Sequence, residues 1–197
     1  MREALFRAGV PCVFFDRYYE GAAPKAAADN VESGRRMAEY LLGCGHRKIG
    51  ILTGPLSLNS SRGRLEGVKA FEAHGLGLSE NTSQRADTTS KRGRRAQSGC
   101  LKRTRRRFLR SAICRLTVYR AARKRAFHSA RYLRGGFDDA VYSALLETPL
   151  TTMRQPVGEL ASAACRAALG LIRGESVPAS FSLPAELIVR GSVGRIN

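Results

Sequence analysis

The stretch Asp29–Leu76 reads DNVESGRRMAEYLLGCGHRKIGILTGPLSLNSSRGRLEGVKAFEAHGL, and its apolar pattern switches between two periods. Asp29 or Asn30 is a suitable cap for a helix in which Met37, Tyr40, Leu41 and Leu42 recur at helical spacing, with Gly43 and Gly45 as stop residues. His46-Arg47-Lys48 then leads into Ile49-Gly50-Ile51-Leu52, a short apolar run that a Gly-Pro turn closes, which predicts a strand. From Arg62 to His74 the spacing of Leu65, Val68 and Phe71 predicts a second amphipathic helix, ended by Gly75. Helices alternating with strands across short joints imply a parallel sheet with right-handed crossovers.

The flanks follow the same grammar. Upstream, Gly9-Val10-Pro11-Cys12-Val13-Phe14-Phe15-Asp16 is a short apolar run bounded by Gly, Pro and a charge, and it predicts a buried parallel strand. Downstream, Val157–Ile172 places Leu160, Ala161, Ala164, Ala168, Leu171 and Ile172 on one helical face, with Gly174 as the stop. Leu183-Pro184 introduces Leu187-Ile188-Val189 as a terminal strand.

The 197 residues suffice for one α/β domain or two small ones, at roughly 100–200 residues per domain. An apolar fraction of 43% permits a sizeable core. No run approaches the ~20 apolar residues that cross a bilayer, and the N-terminus lacks the order of a signal peptide. The five cysteines, Cys12, Cys44, Cys100, Cys114 and Cys165, are odd in number and form no CxxC pair, which excludes a tidy disulfide framework and a Cys-based zinc site. A reducing cytoplasm is the expected compartment.

The net charge of +18 is unevenly spread. Residues Asn81–Gly135 hold 18 of the 34 Lys and Arg and a single acid, Asp87, whereas the other 142 residues carry 16 basic and 15 acidic groups. Between Glu80 and Arg107 only Ala86, Ala96, Cys100 and Leu101 are apolar. That is too little burial to offset the entropy of ordering, so this stretch is expected to be disordered. The basic segment could hold phosphate backbones without sequence preference, and Phe108–Phe127 could lie as a basic amphipathic helix on an acidic surface. Few aromatics interleave the arginines, and no known nucleic-acid motif is present.

No Ser-His-Asp arrangement, carboxylate pair or phosphate loop stands out, so no catalytic residue is assigned and the chain is expected not to be an enzyme. His46, His74 and His128 are isolated, without metal-ligand spacing, and read as surface or turn residues. No cofactor or metal is implied. Ser60 and Arg64 fall at the entry to the second helix, where backbone donors and a guanidinium suit a polar ligand; Asn59 is a weaker candidate. The ordinary structural roles would be Ser60 as a helix cap, Arg64 as a solvated cation and Asp138 as a turn residue.

GVPCVFFDR (9–17), the stretch quoted above, GFDD (136–139), PLTTMRQPVGELASAACRAALGLIRGE (149–175) and LPAELIVRGS (183–192) together resemble the effector-binding region of the lactose-repressor (LacI) family, in that family's order, over roughly 140 of the 197 residues. The resemblance implies a type I periplasmic-binding-protein-like α/β fold, with two subdomains closing on a sugar or nucleoside-like effector. It also implies a homodimer with no membrane contact, whose DNA contacts come from an N-terminal helix-turn-helix that these residues do not encode. Ser60, Arg64 and Asp138 match ligand-contacting positions. The implied organisation is 1–28 as a remnant of the N-terminal subdomain, 29–150 as the C-terminal subdomain with 81–135 anomalous, 151–182 as a return to the first subdomain, and 183–197 as the terminal strand and tail. On this pattern the chain starts at the last strand of the first subdomain and is expected to be a fragment. The apolar face of helix 157–172 would then lack partner surface, and the fragment would bind effector poorly.

The middle departs from the family although its length is preserved. Codons for Ala126–Gly136 permit, one nucleotide later, the translation PFIPRDISVVG, which is what the family typically shows before GFDD. An out-of-frame translation over roughly Asn81–Gly135, between two compensating frameshifts, is therefore expected, and it explains the arginines without selection for them. The leading function is an effector-sensing fragment of a LacI-family transcriptional regulator. The alternatives are a periplasmic sugar-binding protein of a transporter, or nonspecific nucleic-acid binding through the Arg-rich segment.

Overall fold

The computed structural model describes residues 8–18, 23–51, 53–75, 77–78, 111–113 and 133–196. The chain divides into two compact units, one built from 1–29 with 156–184 and the other from 30–155 with 185–197. The basic segment expected to be out of frame lies outside the described residues, apart from Ser111–Ile113 and Leu133–Gly135.

In the larger unit, helices α1 (Asn30–Gly43) and α2 (Asn59–Lys69) accompany a six-stranded sheet. Its strands are β3 (Lys48–Ile51), β4 (Gly77–Leu78), β5 (Ser111–Ile113), β6 (Leu133–Phe137), β7 (Thr151–Arg154) and β9 (Glu186–Ile188), in the order β4-β3-β5-β6-β7-β9. All neighbours are parallel except β7 and β9, which pair antiparallel with Met153 opposite Leu187. The parallel sheet expected from sequence is present, and β9 adds an antiparallel strand at its edge. Met37, Ala38, Leu41, Ile49, Ile51, Val68 and Met153 form the core, with Leu65, Phe71 and Phe137 packed against it. Of the residues whose spacing marks the helices in sequence, Met37, Leu41 and Val68 are buried, while Tyr40, Leu42, Leu65 and Phe71 are half-buried against the core; small residues, Ser61, Gly63 and Gly67, complete the buried face of α2. The second helix starts at Asn59 and gives way to a short 3-10 turn at Glu72–His74 before Gly75, whose φ of 84° closes it.

Glycine determines how close α1 and α2 come. A Cβ on Gly67 would run into the Val31 carbonyl, and one on Gly34 into the Arg64 carbonyl. The two helices therefore touch backbone to backbone, an approach that larger residues forbid. Gly135 in β6 similarly leaves space that the Met37 thioether fills.

The smaller unit is a three-stranded parallel sheet of β1 (Phe14–Phe15), β2 (Lys25–Ala28) and β8 (Ser180–Leu183), in that order, covered by α3 (Val157–Ile172). Leu160 packs on Ala26 and Ala28, with Ala164, Phe181 and Leu183 around it. Three expectations need correction here. The buried strand expected over 9–16 is paired only at Phe14–Phe15, and Phe15 is 42% exposed, because β1 has one strand neighbour among the described residues. The buried stripe of α3 runs through Leu160, Ala163, Ala167 and Gly170, while Ile172 is 68% exposed: small residues, not the largest ones, let the helix settle on an alanine-rich strand. Residues 151–154 pair in the larger sheet, so the chain passes to the smaller unit after Gln155 instead of after 150.

His46 lies in the turn after α1, but it is no surface residue. Its ring is wholly buried and its Nε2 meets the Gly194 carbonyl at 2.9 Å, pinning the C-terminal segment. His74 is exposed beside Phe71, and His128 lies outside the described residues. Among the described residues no helix is long and apolar enough to cross a membrane.

Candidate functional site

The close helix contact that Gly34, Gly63 and Gly67 allow sets the first residue of α1 beside the second turn of α2. Arg64 Nε donates to Asn30 Oδ1 at 2.8 Å, and Arg64 Nη2 donates to Asp138 Oδ1 at 2.8 Å. Two of the three sequence candidates are thereby brought together across 74 residues of chain. The guanidinium carbon lies 4.5 Å from the centroid of the Phe137 ring, so a cation–π contact holds the flat of the group while its edge makes the hydrogen bonds. Arg64 is 16% and Asp138 34% exposed at the side chain, which leaves both partly reachable by solvent.

Asp138 stands where β6 ends. Its N–H still donates to the Met153 carbonyl at 2.9 Å, and then the chain turns with φ of 79° at Asp138 and 39° at Asp139. Two successive non-glycine residues in the left-handed region are costly, and such strain gathers at functional turns. Asp139 supplies the compensation. Its carboxylate takes Arg190 Nη1 at 2.6 Å and Arg154 Nε at 2.8 Å, and the same Arg190 group also donates to the Leu150 carbonyl at 2.7 Å. The Arg190 guanidinium, then that of Arg154, holds the Asp139 carboxyl below the ordinary aspartate range against the opposing effect of burial.

Gln155 follows β7 directly and donates from Nε2 to the same Asp138 Oδ1 at 2.6 Å. Nothing in the local sequence signals this role for Gln155, which lies within the stretch 149–175; Asn30 signals only a helix cap and Phe137 only its place in GFDD. No periodicity marks such residues, because their partners are distant in sequence.

Ser60 is half-buried one turn before Arg64 on the same face of α2 and bonds neither Arg64 nor Asp138. Its ordinary role as a cap is corrected: the cap position is Leu58, in extended conformation and with no side-chain cap bond. Arg64 as a solvated cation and Asp138 as a mere turn residue are likewise replaced by the paired arrangement.

The assembled group lies at the carboxyl ends of β6 and β7 and on the helix after β3, where α/β sheets place ligands. A guanidinium and a carboxylate side by side, flanked by two amides, offer donors and acceptors in fixed directions and suit hydroxyls or ring nitrogens. Among the described residues no group of three His, Cys, Asp or Glu side chains could hold a metal.

Residues 133–193 match the family described as periplasmic binding protein-like domain. The chain is 34% identical over 195 residues to an uncharacterized HTH-type transcriptional regulator in the aml 5′ region of Streptomyces limosus, covering 95% of this chain and 56% of that one. It is 32% identical to the HTH-type transcriptional regulator MalR of Streptomyces coelicolor, over 96% of this chain and 58% of that regulator. Among solved structures, a transcriptional regulator CelR–cellobiose complex superposes with a TM-score of 0.84 at 27% identity, covering 95% of this chain and 60% of that one. A regulatory protein of the LacI family from Chloroflexus aggregans superposes at 0.82 and 26% identity, over 98% of this chain and 72% of that one. The fold is periplasmic-binding-protein-like. In sequence and fold the chain is similar to the effector-binding region of LacI-family regulators, and it spans a little over half the length of the curated relatives it matches.

Proposed function

We propose that the Arg64–Asp138 pair, with Asn30 and Gln155, binds an uncharged, hydroxyl-rich effector of the sugar type, and that the chain is the sensing part of a cytoplasmic, DNA-binding transcriptional regulator that works as a homodimer and is not an enzyme. The observation that carries this is the convergence of Arg64 and Asp138 at 2.8 Å at the carboxyl ends of parallel strands. Ser60 belongs to the same proposal as a further hydroxyl one turn away on α2. The relatives named above are transcriptional regulators, and one superposed structure is a cellobiose complex; both favour a sugar-responsive regulator over a transport protein.

Calorimetric titration against pentoses, hexoses, disaccharides and nucleosides tests the proposal. It is applied to the 197-residue chain and to a version extended to the length of its relatives with the middle reading frame restored. A saturable heat with one sugar class from the extended protein, removed by Arg64→Ala, is the expected result. Heat from none of the compounds, or heat that Arg64→Ala leaves unchanged, overturns it.

A further inference from the structure

All N–H bonds of a guanidinium lie in its plane. The two hydrogen bonds of Arg64, from Nε to Asn30 Oδ1 and from Nη2 to Asp138 Oδ1, each 2.8 Å long, therefore hold the group by its edge. A planar group fixed at two nitrogens keeps its direction within the plane but can still tip about the line that joins them. Nη1 lies off that line, so tipping displaces it most. Nη1 is also the guanidinium nitrogen that has no hydrogen-bond partner among the described residues, which makes it the donor left over for a ligand. The remaining contact of the group is with the face of Phe137, whose ring centroid lies 4.5 Å from the guanidinium carbon. Phe137 is itself anchored: it pairs with Met153 between β6 and β7, and its ring packs against the core cluster that includes Met37 and Met153. The backbone of Arg64 is equally fixed, because a Cβ on Gly34 would run into its carbonyl.

We propose that Phe137 is a positioning residue: its ring face fixes the tilt of the Arg64 guanidinium and thereby aims Nη1 as the ligand-facing donor. The ligand half of this rests on the effector reading above. The attraction is electrostatic, between the cation and the electron-rich face of the ring. It does not compete with Asp138, because the carboxylate meets the edge of the guanidinium and the ring meets its flat side. The ring also covers one side of the group, so a ligand reaches Arg64 from the edge or from the opposite side. A donor held in place before binding costs a ligand less ordering than one that must be fixed on contact. An aliphatic side chain at 137 would keep the packing against the core and lose the aim.

Nitrogen NMR of the free 197-residue chain tests it, through the rate at which Nη1 and Nη2 of Arg64 interchange by rotation about the Nε–Cζ bond. Phe137→Leu is expected to speed interchange by about two- to thirtyfold, the span of one cation–π contact from exposed to desolvated. Phe137→Tyr keeps the ring face and should keep the slow rate. Phenylalanines carrying one, two or three ring fluorines at position 137 should speed interchange step by step, because fluorine drains the ring face at nearly constant size. Fluorine also makes the ring more apolar, so packing alone predicts the opposite sign. The same fluorinated residues at Phe181, which packs beside Leu160 in the smaller unit, should leave Arg64 unchanged. A flat or falling rate along the fluorine series, or cyclohexylalanine at 137 as slow as phenylalanine, overturns the role of the ring. A sugar whose binding is lost in Arg64→Ala but is as tight in Phe137→Leu as in the native chain overturns the aim of Nη1, while the effector reading survives. The full fluorine series together with no heat from any pentose, hexose or disaccharide, in either length of the protein, overturns the effector reading and leaves the hold of Phe137 on Arg64 standing.

Discussion

Asp138 and Asp139 are neighbours of one residue type with separate tasks. Asp138 faces Arg64 and Gln155; Asp139, 6% exposed, faces Arg190 and Arg154 and keeps the turn in its left-handed form. Asp139→Asn removes the charge while keeping the shape, and it should cost about 1–3 kcal/mol in denaturant unfolding, the scale of charge-assisted hydrogen bonds. The pH dependence follows from the lowered folded-state value. A carboxyl that is more acidic folded than unfolded adds stability that is complete above the ordinary value of 3.8 and is lost as pH falls through the folded one. Thermal unfolding of the native chain should therefore lose ground below pH 4 more steeply than that of Asp139→Asn, and parallel profiles would contradict this. At Arg64 the geometry matters as much as the charge. Lysine keeps the cation but has no second, fixed donor for Asn30 and Asp138 together. Arg64→Lys should thus weaken sugar binding in the extended protein by at least tenfold, a change that calorimetry reads directly.

Elements here are placed by what their glycines permit and what their apolar stripes cover. Gly67 holds α2 against the Val31 carbonyl, so Gly67→Ala should destabilise the larger unit by about 1–3 kcal/mol, the cost of overpacking, and more if the helices separate. Gly158, in the first turn of α3, has open space around its Cα, and Gly158→Ala should instead stabilise by about 0.5–1 kcal/mol through the restricted unfolded chain. Opposite signs for two glycine-to-alanine changes in helices separate close packing from helix propensity. Leu160 anchors α3 on Ala26 and Ala28, and Leu160→Ala should cost about 2–5 kcal/mol, felt first as faster exchange in β2 and β8.

The whole molecule joins two units of unequal core to a basic segment of different character. The net charge of +18 resides almost wholly in residues 81–135, and a cationic run of that density retains polyanions whatever their sequence. The 197-residue chain should bind heparin and unrelated DNA duplexes with similar affinity, and retention should fall steeply with salt. A single protected footprint that survives competitor DNA would contradict this. Restoring the proposed reading frame over 81–135 should abolish the retention, and sequencing the gene across that region and upstream of it checks the frame proposal itself.

The sequence by itself determined the elements whose signals are local. Met37, Leu41, Leu65 and Val68 recur at helical spacing, Ile49-Gly50-Ile51 is a short apolar run between turns, and Gly75 and Gly174 take the positive φ that ends each segment. Ser60 and Arg64 at the entry to α2 marked themselves as candidates because their types suit a polar ligand, and GFDD marked Asp138 through the family resemblance. The sequence did not show β2, since Lys25-Ala26-Ala27-Ala28 carries no strand propensity and is a strand only because β1, β8 and α3 surround it. Nor did it show that Asn30 and Gln155 join the site, that the last strand runs antiparallel, or that His46 is buried beneath the C-terminal segment. Those outcomes are set by contacts between residues tens of positions apart, and only the tertiary structure decides them. Local pattern fixes backbone conformation and which face is apolar; the partner of each polar group depends on which elements the packed core brings side by side.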